Sequence, residues 1–154
     1  MTQEEKLLLL EDLGSRLMYG VIVDYKDDEY DRHKWKITTL FAPAYSQDGT
    51  LIDTDHEGWI GYDDYKGCGM SSGTRPLHLE KNLPYLRLWT SMTEKEIKEI
   101  QTILGDAFAD TETYTISILG TQALFKYLNK KMIDYRGLIE KGLAKAAPEG
   151  MYNT

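Results

Sequence analysis

The sequence is poor in cysteine and has no long apolar run. Cys68 is the single cysteine among 154 residues, so the chain can form neither an internal disulfide nor a cysteine-rich zinc site. The longest apolar run, from Leu7 to Leu10, is far shorter than the roughly 20 residues that a membrane-spanning helix needs. The residues after Met1 are polar and acidic, unlike a secretory signal. These absences predict a soluble protein of the cytoplasm without a membrane segment.

The motifs of common catalytic and cofactor sites are also missing from the sequence. It has no phosphate-binding lysine loop, no serine elbow and no histidines at metal-binding spacing. A thiol and an imidazole can form a nucleophilic pair, but no flanking signature joins Cys68 to His33, His56 or His78. We therefore predict no catalytic residue, no metal and no cofactor. A small enzyme that depends on Cys68 or on a metal is the least favoured alternative.

What the sequence does contain is the pattern of one α+β domain. A length of 154 residues is typical of a single domain with its own hydrophobic core. Two capping boxes, Thr2 with Glu5 and Thr93 with Glu96, predict where two helices begin. We predict one domain over residues 1–154, in which a mainly antiparallel sheet is covered by about three helices.

The helices and strands are predicted from the spacing of apolar residues. In the first two helices the apolar positions are Leu7, Leu10, Leu13 and Leu17, and then Ile97, Ile100, Ile103 and Leu104. A third helix is predicted to start near Thr121, with Leu124, Phe125 and Leu128 facing inward. Predicted strands are "GVIVDY" from Gly20, the alternation from Lys34 to Phe41, "TLID", "GWIGY", extended chain over 77–89, and the alternation of Tyr114, Ile116 and Ile118. The glycine-rich segment from Gly67 to Pro76 predicts a surface loop.

The net charge of −7 is concentrated in one part of the chain, which we call the acidic sector. From Asp24 to Asp64 there are 11 acidic and 4 basic residues, a charge of 4 − 11 = −7. Such a sector repels phosphate backbones, and this argues against nucleic acid as the partner. It suits a basic protein partner or a hard cation, or else it is a solvated surface.

Part of the acidic sector resembles a calcium-binding loop. Asp53, Asp55 and Glu57 alternate as cation ligands do, and Gly58 takes the position of the sharp turn. Glu57 stands where Asp or Asn is usual, and the preceding "TLI" predicts a strand instead of the required helix. An acidic β-turn is therefore the favoured interpretation, and no metal site is predicted.

Aromatic residues inside the acidic sector indicate a recognition surface. Tyrosine and tryptophan give rigid contact area with a polar edge, which is common at binding surfaces, although strand aromatics also serve packing. The predicted partner-binding residues are Asp53, Asp55, Trp59, Tyr62, Asp63, Asp64 and Tyr65.

A second set of residues predicts an alternative site for a small nucleotide-like ligand. Arginine forks can hold phosphate oxygens, and aromatic rings can stack on a base. The predicted ligand-binding residues are Tyr85, Arg87, Trp89, Tyr135 and Arg136.

Three segments resemble a known group of proteins. They are "LLEDLGSRLMYGVIV", "NLPYLRLWTSMTEKE" and "DYRGLIEKGLAKAAPEGMY", and they resemble small uncharacterised proteins of phages, prophages and mobile elements of gut Bacteroidetes. The resemblance implies a soluble accessory protein of the bacterial cytoplasm, and it brings no known reaction. Residues of about 53–76 lie outside it and are predicted to be an insertion.

These observations predict a non-catalytic accessory protein of a phage or mobile element that binds a protein partner, for example a host defence component. The alternative is a protein that binds or sequesters a small nucleotide-like ligand. The sequence is compatible with a homo-oligomer in either case. The C-terminal segment is predicted to close the fold, with Asp134 capping a turn and Met151 and Tyr152 anchoring the end. Arg136 then forms either a salt bridge or a ligand contact.

Overall fold

The fold is a single α+β domain, as the sequence predicts. The computed structural model describes residues 1–25, 33–41, 58–64, 73–107 and 118–152. Its helices are α1 (Gln3–Arg16), α2 (Glu94–Ala107) and α3 (Ile118–Lys130). Its strands are β1 (Ile22–Tyr25), β2 (His33–Phe41), β3 (Gly58–Asp64), β4 (Gly73–Leu77), β5 (Leu83–Leu86) and β6 (Lys145–Ala146). Single 3-10 turns at Leu17–Tyr19 and Trp89–Ser91 follow α1 and precede α2.

The six described strands form one sheet in the order β4-β3-β2-β1-β5-β6. Neighbours are antiparallel except for β5 and β6, which run parallel. Successive side chains of a strand point to opposite faces of the sheet, so the apolar residues at alternate positions lie together on one face. The core cluster on that face includes Val23 of β1, Trp35 and Ile37 of β2, and Ile60 and Tyr62 of β3.

Helix α1 covers the core with a face that differs from the predicted leucine stripe. Its capping box is present, since the Thr2 side chain accepts from Glu5 N and the Glu5 side chain accepts from Thr2 N. Leu7, the first residue of the predicted stripe, is 57% exposed and does not belong to the buried face. The run of four leucines supplies apolar side chains all around the helix, and periodicity therefore could not identify the inner face. The buried residues of α1 are Leu9, Asp12, Leu13 and Arg16.

Helices α2 and α3 pack on each other. The capping box of α2 is confirmed, because Thr93 N donates to Glu96 Oε2 at 2.9 Å and Glu96 N donates to Thr93 Oγ1 at 3.3 Å. Ile118 lies in α3 and not in a strand, so α3 begins earlier than predicted. Leu128 is buried as expected, but Phe125 is 43% exposed, and the prediction that it faces the core is wrong.

The C-terminal segment closes the fold across the β1–β5 side of the sheet. The Asp134 carboxylate accepts from Leu138 N at 2.9 Å and from Ile139 N at 2.8 Å, which confirms the predicted cap. The Tyr152 hydroxyl donates to Tyr85 O at 2.8 Å and accepts from Ile22 N at 3.1 Å. These hydrogen bonds join the end of the chain to two neighbouring strands, and they support the predicted closing role.

The acidic sector and the glycine-rich segment contribute strands to the sheet. Residues 58–64 pair with both β2 and β4, so this half of the calcium-like match is extended strand and not a cation-binding loop. Residues 73–76 of the predicted surface loop belong to β4. Pro76 fits there because β4 is an edge strand of the described sheet, where one side of the backbone needs no ladder partner. The predicted strand "TLID", residues 114–117, Cys68 and His56 lie outside the described residues.

Candidate functional site

The most developed candidate site is a cavity of about 630 Å³ between α1, α3 and the chain that follows α3. We call it the α1–α3 cavity. Its lining residues are Glu11, Ser15, Phe125, Asn129, Tyr135 and Arg136.

Helical spacing and one tight turn place these side chains together. Glu11 and Ser15 are four residues apart on α1, and Phe125 and Asn129 are four apart on α3, so each pair lies on one helix face. The chain leaves α3 through Met132, whose φ of 56° lies in the left-handed region that a side chain rarely adopts. Hydrogen bonds to the end of β5, from Arg87 N to Met132 O and from Asp134 N to Arg87 O, hold this turn in place. Residues 135 and 136 therefore point back at α1 from a rigid position.

A fully buried ion pair supports the cavity. Arg16 donates from Nε to Asp12 Oδ2 at 2.7 Å and from Nη2 to Asp12 Oδ1 at 2.9 Å, and both side chains have no exposed surface. Arg16 Nη2 also donates to Ile133 O at 3.0 Å, which ties α1 to the turn after α3. Such a two-pronged pair holds both side chains in one geometry.

Arg136 sits above this pair and has two carboxylates within reach. Its Nη2 donates to Glu11 Oε1 at 3.0 Å, and its Nε lies 3.4 Å from Asp12 Oδ1. The hydrogen bond and charge of Arg136 lower the pKa of the Glu11 carboxyl. Burial works to lower the pKa of Arg136, but its hydrogen bonds with Glu11 and Tyr135 outweigh burial and raise it above its ordinary value. Arg136 is therefore charged at neutral pH.

Aromatic rings form one wall of the cavity. The Tyr135 ring centroid lies 5.2 Å from the guanidinium carbon of Arg16 and 5.4 Å from that of Arg136. The Phe125 ring meets Tyr135 at 5.2 Å between centroids with 46° between the planes. The guanidinium groups of Arg16 and Arg136 therefore cover the Tyr135 ring, whereas 43% of the surface of Phe125 is exposed. Phe125 is the ring that a ligand can reach.

Asn129 lines the cavity and has a buried hydrogen-bonding atom without a partner among the described residues. The residue is 8% exposed, and its Oδ1 has no hydrogen-bond partner among the described residues. An unsatisfied buried polar group costs roughly 1–3 kcal/mol, so native proteins keep few of them. Only two other buried side-chain atoms in the described ranges share this state, Arg16 Nη1 and Asn82 Nδ2. The oxygen has almost no solvent-accessible surface, so a ligand can donate a hydrogen bond to it only after the amide turns towards the cavity.

The predicted ligand-binding residues are divided between different surroundings. Tyr135 and Arg136 line the α1–α3 cavity, whereas Arg87 lines a separate cavity of about 390 Å³ beside residues 147–152. Tyr85 donates to Asp24 Oδ1 at 3.3 Å and lies under the ammonium groups of Lys34 and Lys145. Trp89 is 49% exposed and lines neither cavity. The five residues therefore do not share one cavity.

Arg87 is committed to a structural contact. Its Nη1 donates to Glu96 Oε1 at 2.8 Å and its Nη2 donates to Glu96 Oε2 at 3.0 Å, while Nη2 also donates to Ser91 O at 2.9 Å. The hydrogen bond from Arg87 lowers the pKa of Glu96 to about 2, against burial. Lys131 adds a further positive charge 3.7 Å from Glu96. This cluster joins the end of β5 to the start of α2 and the end of α3.

The predicted partner-binding residues are only partly available. Tyr62 is 4% exposed and stacks on Trp35 with 3.9 Å between ring centroids and 10° between planes, so the ring of this predicted partner-binding residue packs in the core. Its position on the inward face of β3 gives the reason. Trp59 is 38% exposed and Asp63 is exposed on the opposite face. Asp64 pairs through its backbone with Trp35, and Asp53, Asp55 and Tyr65 lie outside the described residues.

The described strands of the acidic sector are nearly balanced in charge. Asp24 stands opposite Lys34, and Asp63 stands opposite Lys36, as cross-strand neighbours. Asp24 also forms an ion pair with Lys145 of β6. The excess acid of the sector lies in residues 26–32 and 42–57, which hold 8 acidic and 2 basic residues, a charge of 2 − 8 = −6.

Comparison with protein families, with curated proteins and with solved structures finds no match to this chain. No helix in the described ranges has the length and apolar character to cross a membrane. In the same ranges, no three His, Cys, Asp or Glu residues are grouped so as to hold a metal ion.

The sequence reasoning missed several of the cavity residues. Glu11, Phe125 and Asn129 were not selected as site residues, and neither was the buried pair Asp12 and Arg16. One signal was present in the sequence, because Asp12 and Arg16 have the spacing of a helical ion pair. Only the packing of α3 against α1 shows that this pair is buried beside Arg136.

Proposed function

We propose that this protein is a non-catalytic binding protein and that the α1–α3 cavity is its small-ligand site. The observation that carries the proposal is the composition of the lining: an exposed phenyl ring, a guanidinium and a buried amide oxygen without a partner. Small-ligand sites typically have volumes of about 300–1,000 Å³ and combine apolar walls with a few convergent polar groups. This supports the small-ligand alternative predicted from the sequence.

The contacts within the lining favour binding over catalysis. The Ser15 hydroxyl donates to Asp12 O at 2.8 Å, and Glu11 is held by Arg136. A nucleophile needs a base within hydrogen-bond reach to be activated, and among the described lining residues no such pair is formed. The groups that remain available can hold a molecule and orient it.

The test is ligand-observed NMR with a panel of small aromatic amides, amines and acids, applied to the wild type and to two variants. Asn129→Leu removes the unpartnered oxygen with little change in volume, and Phe125→Ala removes the accessible ring. Ile97→Ala is the matched control, because Ile97 is similarly exposed, at 45%, but lies on α2 outside the cavity. We expect both cavity variants to lose saturation transfer to the bound probes and the control to retain it. Equal transfer in all four proteins, or none in the wild type, contradicts the proposal.

A protein partner is a second candidate function, favoured by exposed apolar side chains after β5 and in the first turn of α2. Leu88 is 43% exposed, Trp89 is 49% exposed and Ile97 is 45% exposed, all within a ten-residue segment. Tryptophan is enriched among the residues that carry most of the energy of protein–protein binding. We propose this segment, with Trp59 of β3, as the contact region if the chain acts as an accessory protein of a phage or mobile element on a host protein.

Capture of a purified partner tests this second candidate. The partner is first selected from lysate of host and infected cells and then bound to wild type, Trp89→Ala and Asp63→Asn proteins. Leu7→Ala is the control, since Leu7 is 57% exposed and lies on α1, outside both proposed contact surfaces. Loss of binding in Trp89→Ala alone assigns the contact to the 88–97 segment, and loss in Asp63→Asn assigns it to the sheet face. Undiminished binding in both removes these surfaces as the interface.

A further inference from the structure

The two carboxylates on Arg136 differ in how firmly they are held. Asp12 is fully buried, and both of its oxygens accept short hydrogen bonds from Arg16. The Glu11 side chain is 68% exposed and is held by Arg136 alone among the described residues, through one hydrogen bond of 3.0 Å. Arg136 itself is more enclosed, with 21% of its side chain exposed. Glu11 can therefore leave for water, whereas Arg136 and Asp12 stay in place.

Departure of Glu11 would change the charge of the cavity. Arg16 and Arg136 carry two positive charges, and Asp12 and Glu11 carry two negative charges, so the closed cluster is neutral. Without Glu11 the cluster has one positive charge in excess, located on a partly buried guanidinium fork. An anionic group of a ligand is the natural replacement.

Resting on the proposed function, we propose that the ligand is a planar aromatic molecule with an anionic group that replaces Glu11 on Arg136, the chemistry of a mononucleotide. Its phosphate accepts hydrogen bonds from Arg136. Its ring lies on the exposed surface of Phe125. The Asn129 amide turns towards the ligand, and an N–H group of the ring donates to its Oδ1, the buried acceptor that has no other partner in the described part of the chain.

Arg136, Phe125 and Asn129 each select against a different class of ligand. A cation is repelled by Arg136, and the one buried carboxylate nearby already accepts two hydrogen bonds from Arg16. An aliphatic anion leaves the Phe125 surface uncovered. An aromatic anion without an N–H or O–H donor leaves Asn129 Oδ1 unsatisfied, which costs affinity because the oxygen is buried. A nucleobase that bears an amino group and a phosphate meets all three requirements.

Isothermal titration calorimetry with adenosine 5′-monophosphate, adenosine and inorganic phosphate tests the inference. Glu11→Gln removes the competing charge, and Glu4→Gln is its matched control, since Glu4 is an exposed acid on the same helix. We expect Glu11→Gln to bind the monophosphate roughly two- to fivefold more tightly, the scale of an exposed ion pair. Glu4→Gln should leave that affinity unchanged, and neither substitution should strengthen adenosine binding.

Substitution of Arg136 should weaken binding of the monophosphate, opposite to the effect of Glu11→Gln. Arg136→Lys keeps the charge but loses the fork, and we expect it to weaken the monophosphate about tenfold or more while adenosine binding changes little. Glu11→Gln alters an exposed side chain, so the inference stays testable even if an Arg136 variant does not fold.

The outcomes separate this inference from the proposed function. If Phe125→Ala abolishes adenosine binding but Glu11→Gln and Glu4→Gln bind the monophosphate alike, the cavity is a ligand site and the exchange at Glu11 is overturned. If inorganic phosphate binds as tightly as the monophosphate, the ring contact is overturned. If the wild type binds neither the nucleotide nor the nucleoside, the nucleotide assignment fails, while the probe panel described above decides whether the cavity binds another aromatic molecule.

Discussion

Two arginine–carboxylate pairs in this protein have similar residues and opposite characters. Arg87 and Glu96 form two short hydrogen bonds, and Glu96 also accepts from the backbone of Thr93 in the capping box of α2. Arg136 and Glu11 share one hydrogen bond, with Glu11 largely in water. The first pair connects three elements of the fold and has little capacity left for a ligand. The second pair can open without disturbing the core, and a pair of this kind is therefore the better candidate for binding.

The floor of the α1–α3 cavity is where we expect the largest effect on stability. Asp12→Asn leaves Arg16 charged, fully buried and without its counter-ion, and removing one member of such a pair costs roughly 3–5 kcal/mol. Glu11→Gln removes the exposed carboxylate from the same cluster and should change the free energy of unfolding by less than about 1 kcal/mol. Urea denaturation of both variants measures the difference. Similar losses in the two variants would mean that Glu11 is a structural residue and cannot serve as the displaceable anion.

The Arg87–Glu96 pair should show the next largest effect. Glu96→Gln removes two charge-assisted hydrogen bonds and weakens the cap of α2, and we expect a loss of roughly 2 kcal/mol in the free energy of unfolding. Glu94→Gln is the control, since Glu94 lies in the first turn of the same helix and is exposed. A loss no greater than that of the control would show that this pair contributes no more than a surface charge.

Acid should weaken the same pair in a defined pH range. The folded-state pKa of Glu96 is about 2 instead of 4.5, so the unfolded chain takes up this proton first as the pH falls. The stabilisation from Glu96 is therefore fully present above pH 4.5 and is lost as the pH falls towards 2. Unfolding free energies measured across this range should fall more for the wild type than for Glu96→Gln. Parallel curves for the two proteins would contradict the assignment.

The smallest effect on stability is expected at the rim of the cavity. Phe125→Ala removes a ring that is 43% exposed, and we expect the free energy of unfolding to change by about 0.5 kcal/mol or less. Leu128→Ala, one turn away on α3, removes a side chain that is 2% exposed and should cost roughly 2–5 kcal/mol. Thermal or urea unfolding distinguishes the two. A large loss in Phe125→Ala would mean that the ring serves packing and not ligand contact.

Predictions from local patterns were confirmed more often than those that required distant contacts. Both capping boxes are present, and the β-branched run of β1, the alternation of β2 and the segment "GWIGY" of β3 correctly placed those strands. The two-residue strand β6 was missed, because Lys145 and Ala146 carry no alternating pattern and pair only through β5. The core face of α1 was partly misassigned, because a run of leucines has no periodicity to interpret. Of the predicted site residues, Tyr135 and Arg136 do line the best candidate cavity.

The sequence by itself determined the features whose causes lie within a few residues. Helix starts follow from a side chain that bonds the backbone three residues away, and strands follow from side chains that alternate between a buried and a solvated face. The tertiary structure alone decided which polar groups are satisfied. The hydrogen bond from Arg136 to Glu11 spans 125 positions, and that from Arg16 to Ile133 O spans 117. The character of each arginine, structural or available to a ligand, depends on burial and partners that only the packing of α1 against α3 and the C-terminal segment creates.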